Sequence, residues 1–113
     1  MHELSIATEI INIVEKEASR QHLTRVEEIG LKIGALTGVN PDALTFAFEA
    51  STGDTSLAGV VIKIEKIPVK GECRACGNAF EVQEFVFICP ECGSSDLKIS
   101  QGEELDIDYI AGQ

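Results

Sequence analysis

Residues 73–93 read CRACGNAFEVQEFVFICPECG, and this stretch contains all four cysteines of the chain. Two residues separate the cysteines within each pair, and twelve residues separate the two pairs. A spacing of two lets one tight turn point both sulfurs at a single ion. The glycine that follows each pair supplies a residue that adopts a positive φ without steric cost. The stretch therefore predicts one tetrahedral metal site formed by Cys73, Cys76, Cys89 and Cys92.

Zinc is the metal that a closed set of four thiolates favours, and such a set leaves no open position for catalysis. A rubredoxin-like iron site uses the same ligands and similar turns, so the spacing leaves iron open as an alternative. Disulfide bonds and four unrelated free cysteines are the other interpretations. The apolar residues between the pairs predict a hairpin that wraps the site: Phe80, Val82, Phe85, Val86, Phe87 and Ile88.

Composition and charge narrow the class of protein. The chain has 113 residues, of which 44% are hydrophobic, as expected for one globular domain with at most a minor lobe. Its 19 acidic and 9 basic residues give a net charge of −10, which opposes binding to nucleic acid. The N-terminus lacks the pattern of a signal peptide, and no apolar run reaches transmembrane length. We therefore expect a cytoplasmic protein that binds neither nucleic acid nor membranes.

Two segments have the signals of helices. Leu4 to Ala18 carries apolar residues at helical spacing on about half of its circumference, which predicts an amphipathic helix. Asn40 followed by Pro41 and Asp42 is a strong helix start, with Asn as the N-cap and Pro at the first helical position. We expect this second helix to end near residues 51–53 and to bury Ala43, Leu44, Ala47 and Phe48.

Three segments alternate between apolar and polar residues, as half-buried strands do. They are Val26 to Leu36, with a glycine-studded outer face, Val60 to Ile67, and the segment from Leu105 to Tyr109. Two helices and three strands with one apolar face each predict a two-layer α/β fold, with two helices on a three-stranded sheet. The third strand follows the cysteines, so a small zinc-ribbon-like lobe is expected as an insertion. The predicted domains are residues 1–69 plus 101–113, which form the α/β domain, and 70–100, which form the zinc-binding lobe.

The first three residues, Met1, His2 and Glu3, suggest a second metal site. The α-amine, the His2 amide nitrogen and the His2 imidazole lie within successive five- and six-membered chelate rings. The Glu3 amide would complete four nitrogen donors in one plane, which nickel(II) and copper(II) favour. The first N–H groups of a helix have no acceptor within the helix, so losing those protons to a metal breaks no helical hydrogen bond. A solvated terminal histidine is the alternative, and His22 is interpreted as an exposed turn residue.

The order of motifs along the whole chain resembles the HypA/HybF family of hydrogenase-maturation nickel metallochaperones. The resemblance depends on the Met-His-Glu-Leu-Ser start, the amphipathic helix, the Asn40-Pro41 helix start, the cysteine pairs and the Gln101-Gly102 segment. It implies that Met1, His2 and Glu3 bind nickel(II) as cargo and that the four cysteines bind structural zinc(II). It thereby assigns nickel binding to the predicted α/β domain.

The resemblance also implies partners: a hydrogenase-maturation GTPase that is HypB-like, and the hydrogenase large-subunit precursor. The oligomeric state stays open, a homodimer included. Some family members carry a histidine beside the zinc cysteines, but Gly93 and Ser94 follow Cys92 here. Sensing of pH by a histidine at the zinc is therefore not expected.

Two other functions compete with nickel delivery. The cysteine motif alone would fit a zinc-ribbon module for protein interaction or regulation without nickel transfer, although the acidic charge opposes a role on nucleic acid. An enzyme is not expected, because the chain has no Ser-His-Asp set, no glycine-rich phosphate loop and no cysteine-histidine pair at credible spacing.

Overall fold

The first helix, α1, covers Glu3–Arg20 in a computed structural model that describes residues 2–113. It confirms the predicted helix and extends it by one residue before Leu4 and two after Ala18. Leu4 and Ile13, which the pattern placed on the apolar face, are 57% and 49% exposed. The buried face is therefore narrower than half of the helix and consists of Ile6, Ala7, Ile10, Ile11, Val14 and Ala18.

The second helix, α2, covers Pro41–Ser51 and packs against α1. Its predicted N-cap is confirmed, because the side-chain oxygen of Asn40 accepts hydrogen bonds from the N–H groups of Asp42 and Ala43 at 2.9 and 3.1 Å. These two bonds satisfy donors that have no acceptor within the helix. The buried residues are Leu44, Ala47 and Phe48, whereas Ala43 is only half-buried.

The described chain contains six strands in two sheets of three. In chain order they are β1 Val26–Gly34, β2 Val61–Ile67, β3 Lys70–Cys73, β4 Ala79–Glu81, β5 Leu97–Gln101 and β6 Leu105–Gly112. The first sheet has the order β2-β1-β6, and its strands are the three that the alternating pattern predicts. Ile29, Leu31 and Ile33 of β1 are buried as expected. The predicted end of β1 at Leu36 is wrong, since a short 3₁₀ helix occupies Ala35–Thr37.

The glycines of β1 do not form an exposed outer face, as the alternation suggested. Gly30 and Gly34 are both buried. The ring of Tyr109 lies over Gly30, and the backbone of Gly102 lies against Gly34. The N–H of Gly34 donates to the carbonyl of Glu104 at 2.7 Å. The glycines are therefore required for close approach to a neighbouring segment that is distant in the sequence.

Replacing Gly34 by alanine should lower the free energy of unfolding by about 1 to 3 kcal/mol, because the new methyl group would overlap the Gly102 carbonyl. Gly53→Ala is the matched control, since no heavy atom lies within 4 Å of a methyl group built there. That control should be neutral or slightly stabilising. Thermal unfolding of both variants measures the difference, and equal melting temperatures would contradict the close approach at Gly34.

The second sheet has the order β4-β3-β5, and both pairings are antiparallel. Its strands lie between β2 and β6 in the sequence, as expected for an inserted lobe. The β3–β5 pairing contains a register shift between Lys70 and Gly71. The alternating pattern did not predict this sheet, because its strands are only three to five residues long.

The chain divides into two compact units. The first comprises residues 1–32, 38–65 and 106–113, and the second comprises residues 33–37 and 66–105. The predicted domains were defined by the metal that each binds: nickel for residues 1–69 plus 101–113, and zinc for residues 70–100. The division into compact units does not test metal binding, so this assignment stays a prediction. In residues 2–113 we find no helix with the length and apolar character needed to cross a membrane.

Candidate metal centres

Each cysteine pair lies on a tight turn, and the two turns have the same hydrogen bonds. In the first turn the N–H of Gly77 donates to the Cys73 carbonyl at 2.8 Å, and in the second the N–H of Gly93 donates to the Cys89 carbonyl at 2.9 Å. The two glycines have φ values of 77° and 76°. Residues with side chains rarely adopt this conformation, so the predicted role of both glycines is confirmed.

A second backbone bond closes each turn. The N–H of Cys73 donates to the carbonyl of Asn78, and the N–H of Cys89 donates to that of Ser94, both at 2.8 Å. The first cysteine of each pair is buried, whereas the second is exposed. The site is therefore built from two equivalent halves, each with one inner and one outer sulfur.

The four sulfurs come together in one cluster, in which all lie within 4.8 Å of one another. The Cys73 and Cys92 sulfurs are 3.5 Å apart, and the Cys76 and Cys89 sulfurs are 3.6 Å apart. Sulfurs at the corners of a zinc tetrahedron are separated by about 3.8 Å, given a Zn–S bond of about 2.3 Å. The donor set and its spacing therefore fit a structural zinc ion with four thiolate ligands.

Hydrogen bonds to the inner sulfurs favour their ionised form. Burial raises the pKa of the Cys89 thiol, but the N–H groups of Glu91 and Cys92 donate to this sulfur and bring its pKa down to about 6. Burial likewise raises the pKa of Cys73, and N–H groups of its own turn outweigh that effect, so the net pKa is lowered. The inner cysteines therefore ionise to thiolates more easily than the outer cysteines do.

The pKa values of the two outer thiols are raised instead when no metal is bound. An N–H group from Asn78 lowers the pKa of Cys76, but burial and the neighbouring cysteines outweigh it and raise the pKa to about 12. The pKa of Cys92 is also raised, although the N–H of Ser94 lowers it, chiefly because Cys73 is adjacent. A divalent ion that binds here must displace these protons and compensate the charge of four thiolates.

The apolar residues between the pairs do not wrap the cluster as the sequence suggested. Val82 is buried, but the side chains of residues 85–88 are between 37% and 59% exposed. A polar side chain lies near the cluster instead: the Asn78 amide group donates to the Cys89 sulfur across 3.9 Å. Sequence reasoning missed this contact, although an amide residue directly after the first Cys-x-x-Cys-Gly was a visible signal.

The predicted nickel ligands lie at the start of α1. His2 is the N-cap residue, with φ −84° and ψ 130°, and its exposed side chain makes no capping hydrogen bond. Its carbonyl accepts from the N–H of Ile6, so the residue is held by the backbone while its imidazole is left for other contacts. Met1, the third predicted ligand residue, lies outside the described residues.

Glu3 occupies the first turn of α1, and its carboxylate accepts a hydrogen bond from the N–H of Asn40 at 3.3 Å. Sequence reasoning missed this contact, because the two residues are far apart in the chain. Neither the His2 nor the Glu3 backbone N–H donates a hydrogen bond to any atom of residues 2–113. Both amides are therefore at positions where deprotonation by a metal would break no bond in the described chain.

Neither histidine belongs to a cluster of metal-ligating side chains in the part of the chain that the structure describes. His22 lies in an exposed turn with φ 60°, as the turn interpretation expected. Nickel binding at His2 therefore stays a prediction.

Comparison with known proteins gives the same family throughout. The family model described as "Hydrogenase/urease nickel incorporation, metallochaperone, hypA" matches residues 1–112. A "Hydrogenase maturation factor HypA" from Geobacter metallireducens is 44% identical over 107 residues, which cover 95% of this chain and 94% of that protein. A "Hydrogenase maturation factor HybF" from Morganella morganii is 34% identical over 113 residues, which cover all of both chains. These relatives are named as maturation factors, not as enzymes.

Two solution structures share the fold. The structure of the "Ni metallochaperone HypA from Helicobacter pylori" superposes with a TM-score of 0.69 at 23% identity and covers 99% of this chain and 97% of that chain. A second, described as the "Solution structure of HypA protein", has a TM-score of 0.74 at 23% identity and covers 100% of this chain and 97% of that chain. From the match of the family model and the identity to the relatives over nearly the whole length, this chain belongs to the HypA family of nickel metallochaperones for hydrogenase maturation.

Proposed function

We propose that this protein binds nickel(II) through Met1, His2 and Glu3 and delivers it during maturation of nickel-iron hydrogenase. In the same proposal, Cys73, Cys76, Cys89 and Cys92 hold a structural zinc ion. The observation that supports the nickel site best is the position of His2. Its imidazole is exposed and free of a capping bond, next to two main-chain amides that have no acceptor in residues 2–113.

The two centres suit different tasks. Four thiolates close the coordination of zinc, so an ion there exchanges slowly and stabilises the fold around it. Ligands at an exposed helix start leave one side of the ion open to an incoming donor, which a carrier needs for release. Amide and imidazole nitrogens must lose protons to bind nickel, so affinity should fall as the solution becomes more acidic.

Delivery requires partners. Relatives named as hydrogenase maturation factors support a role beside other maturation proteins. Within that role we propose contacts with a HypB-like GTPase and with the hydrogenase large-subunit precursor, in the cytoplasm. A homodimer is compatible with the proposal, since the nickel ligands all come from one chain.

Nickel titration of zinc-loaded protein that begins at Met1 tests the proposal. Calorimetry should show about one equivalent of nickel bound in addition to the zinc. A version extended by Gly-Ser before Met1 should bind nickel at least about tenfold more weakly, because its Met1 nitrogen is an amide instead of an amine. Equal affinity of the two versions would refute the N-terminal chelate.

The same titration tests the alternative function, which is a zinc-ribbon module without nickel transfer. That function requires the four-cysteine cluster but makes no use of His2. It predicts full zinc content with no specific nickel binding in either version of the protein.

A further inference from the structure

The loop before the second cysteine pair exposes four large apolar side chains in succession. Phe85, Val86, Phe87 and Ile88 are 59%, 54%, 37% and 51% exposed. The loop is held at both ends, since Val82 is 7% and Cys89 is 1% exposed. A run of exposed apolar residues on an anchored loop costs solubility, and such runs on folded proteins mark binding surfaces.

The backbone of this loop is also strained. Glu84 and Phe85 have φ values of 52° and 59°, two consecutive residues with side chains in the left-handed region. Phenylalanine in particular disfavours this conformation. Strain of this kind is concentrated at ligand clamps and functional loops. Here it occurs at the start of the loop whose apolar side chains are exposed.

Two of the exposed side chains, Val86 and Ile88, line a groove with a volume of about 330 Å³. Its apolar lining is Phe80, Val86, Ile88 and Pro90. No lysine or arginine occurs between Arg74 and Lys98 in the sequence. The apolar surface therefore lies in a stretch of chain whose charged side chains are all acidic.

Three of the four acidic residues in this stretch have no ion-pair partner in residues 2–113. Asp96 is 3.8 Å from Arg74. Glu81 lines the groove and lies opposite Lys70 in the β3–β4 register, but the two form no ion pair. Glu84 and Glu91 lie among or directly after the groove residues in the sequence and are also exposed. A ligand for this surface should therefore combine apolar anchors with positive charge.

We propose that the groove and loop formed by residues 80–91 are a docking surface for a basic amphipathic segment of a partner protein. Apolar side chains of that segment fill the groove, and its lysine or arginine side chains pair with Glu84 and Glu91. A second copy that docks through the same surface is the wrong occupant, because it would bring the acidic side chains of the two copies together. The proposal does not depend on the nickel site.

A designed peptide serves as the probe: an amphipathic helix of about 14 residues made of leucine and lysine, added to the zinc-loaded full chain. Amide shifts in nitrogen-15 spectra should change mainly in residues 80–91. A peptide with glutamate in place of each lysine, and one with serine in place of each leucine, should each bind at least about tenfold more weakly.

Variants of the protein test the same surface from the other side. Val86→Ser with Ile88→Ser should weaken the lysine peptide at least about tenfold, whereas Val61→Ser, which alters a similarly exposed valine on β2, should not. Glu84→Lys with Glu91→Lys should reverse the preference so that the glutamate peptide binds better. His2→Ala should leave the peptide affinity unchanged, which separates this surface from the nickel site. Zinc content confirms that the cysteine turns of each variant are folded, and circular dichroism confirms the rest of the fold.

Three results would overturn the proposal. One is equal binding of the lysine and glutamate peptides, and another is that the shift changes lie mainly outside residues 80–91. The third is occupation of the surface by a different class of ligand. Concentration-dependent shifts of these residues without peptide would identify a second copy, and shifts with phosphatidylcholine vesicles would identify a lipid surface.

Discussion

Replacing His2 by alanine is expected to lower the nickel affinity of the zinc-loaded protein by at least about 100-fold. The imidazole closes the chelate ring that anchors the ion while the neighbouring amides lose their protons. Loss of a partner that only orients a metal ligand already costs roughly 10- to 100-fold in affinity. Loss of a ligand should cost more. Calorimetry or competition with a coloured chelator measures the change.

The matched control is His22→Asn, which removes the other imidazole of the chain. Asparagine is the suitable replacement because His22 has φ 60°, and asparagine tolerates this conformation better than alanine does. Nickel affinity should be unchanged. A nickel affinity that survives His2→Ala but falls in His22→Asn would move the site to the end of α1.

Glu3→Gln distinguishes the two ways in which Glu3 can act. The amide side chain of glutamine still accepts a hydrogen bond from the N–H of Asn40, and the backbone nitrogen is unaltered. If Glu3 binds nickel through its backbone nitrogen, the affinity should stay within a few-fold of the parent protein. A loss as large as that of His2→Ala would show that the carboxylate is the ligand.

Features with local causes could be predicted from the sequence. The Asn40 cap depends on contacts between residues two and three positions apart, and both hydrogen bonds are present. The cysteine turns depend on five-residue segments whose glycines supply the positive φ. The assembly of the four sulfurs followed from the chemistry of the ion, which favours one tetrahedral set over two separate pairs.

Features with distant causes could not be predicted. The alternation of β1 placed Gly30 and Gly34 on an outer face, but Tyr109 and Gly102, which are almost eighty and seventy residues away, cover them. The contact between Glu3 and Asn40 joins the starts of two helices and has no periodic signal. Such contacts depend on how the elements meet, and residue patterns within one element carry no information on that.

The prediction that residues 85–88 cover the cysteine cluster was wrong for a different reason. Its side chains are as apolar as those of a core, so the composition suggested a cover for the cysteine cluster. The side chains are exposed on a loop whose backbone is left-handed at Glu84 and Phe85, a conformation that the residue types do not indicate. An apolar run next to a metal cluster is thus not evidence of burial.

Replacing Cys76 by serine is expected to remove zinc from the protein and to unfold the second sheet and the two cysteine turns, residues 70–101, while α1, α2 and the first sheet persist. Zinc bound by four thiolates contributes roughly 10 kcal/mol or more to folding. The second unit has short strands and few buried apolar side chains to replace that contribution. The side chain of Cys76 is exposed, so serine itself fits the position without steric strain.

Ala75→Ser is the matched control, because it introduces the same side chain one position away and keeps all four sulfurs. It should retain full zinc content. Cys92→Ser should reproduce the effect of Cys76→Ser, since the two cysteines occupy equivalent positions in the two turns.

Zinc analysis and hydrogen exchange resolved by residue measure the outcome of these substitutions. Exchange should become fast in residues 70–101 and stay slow in α1, where the buried face is independent of the cysteines. Nickel binding at His2 should survive the loss of zinc, because its predicted ligands all belong to the first three residues. Loss of protection throughout the chain would show instead that the zinc cluster holds the whole fold together.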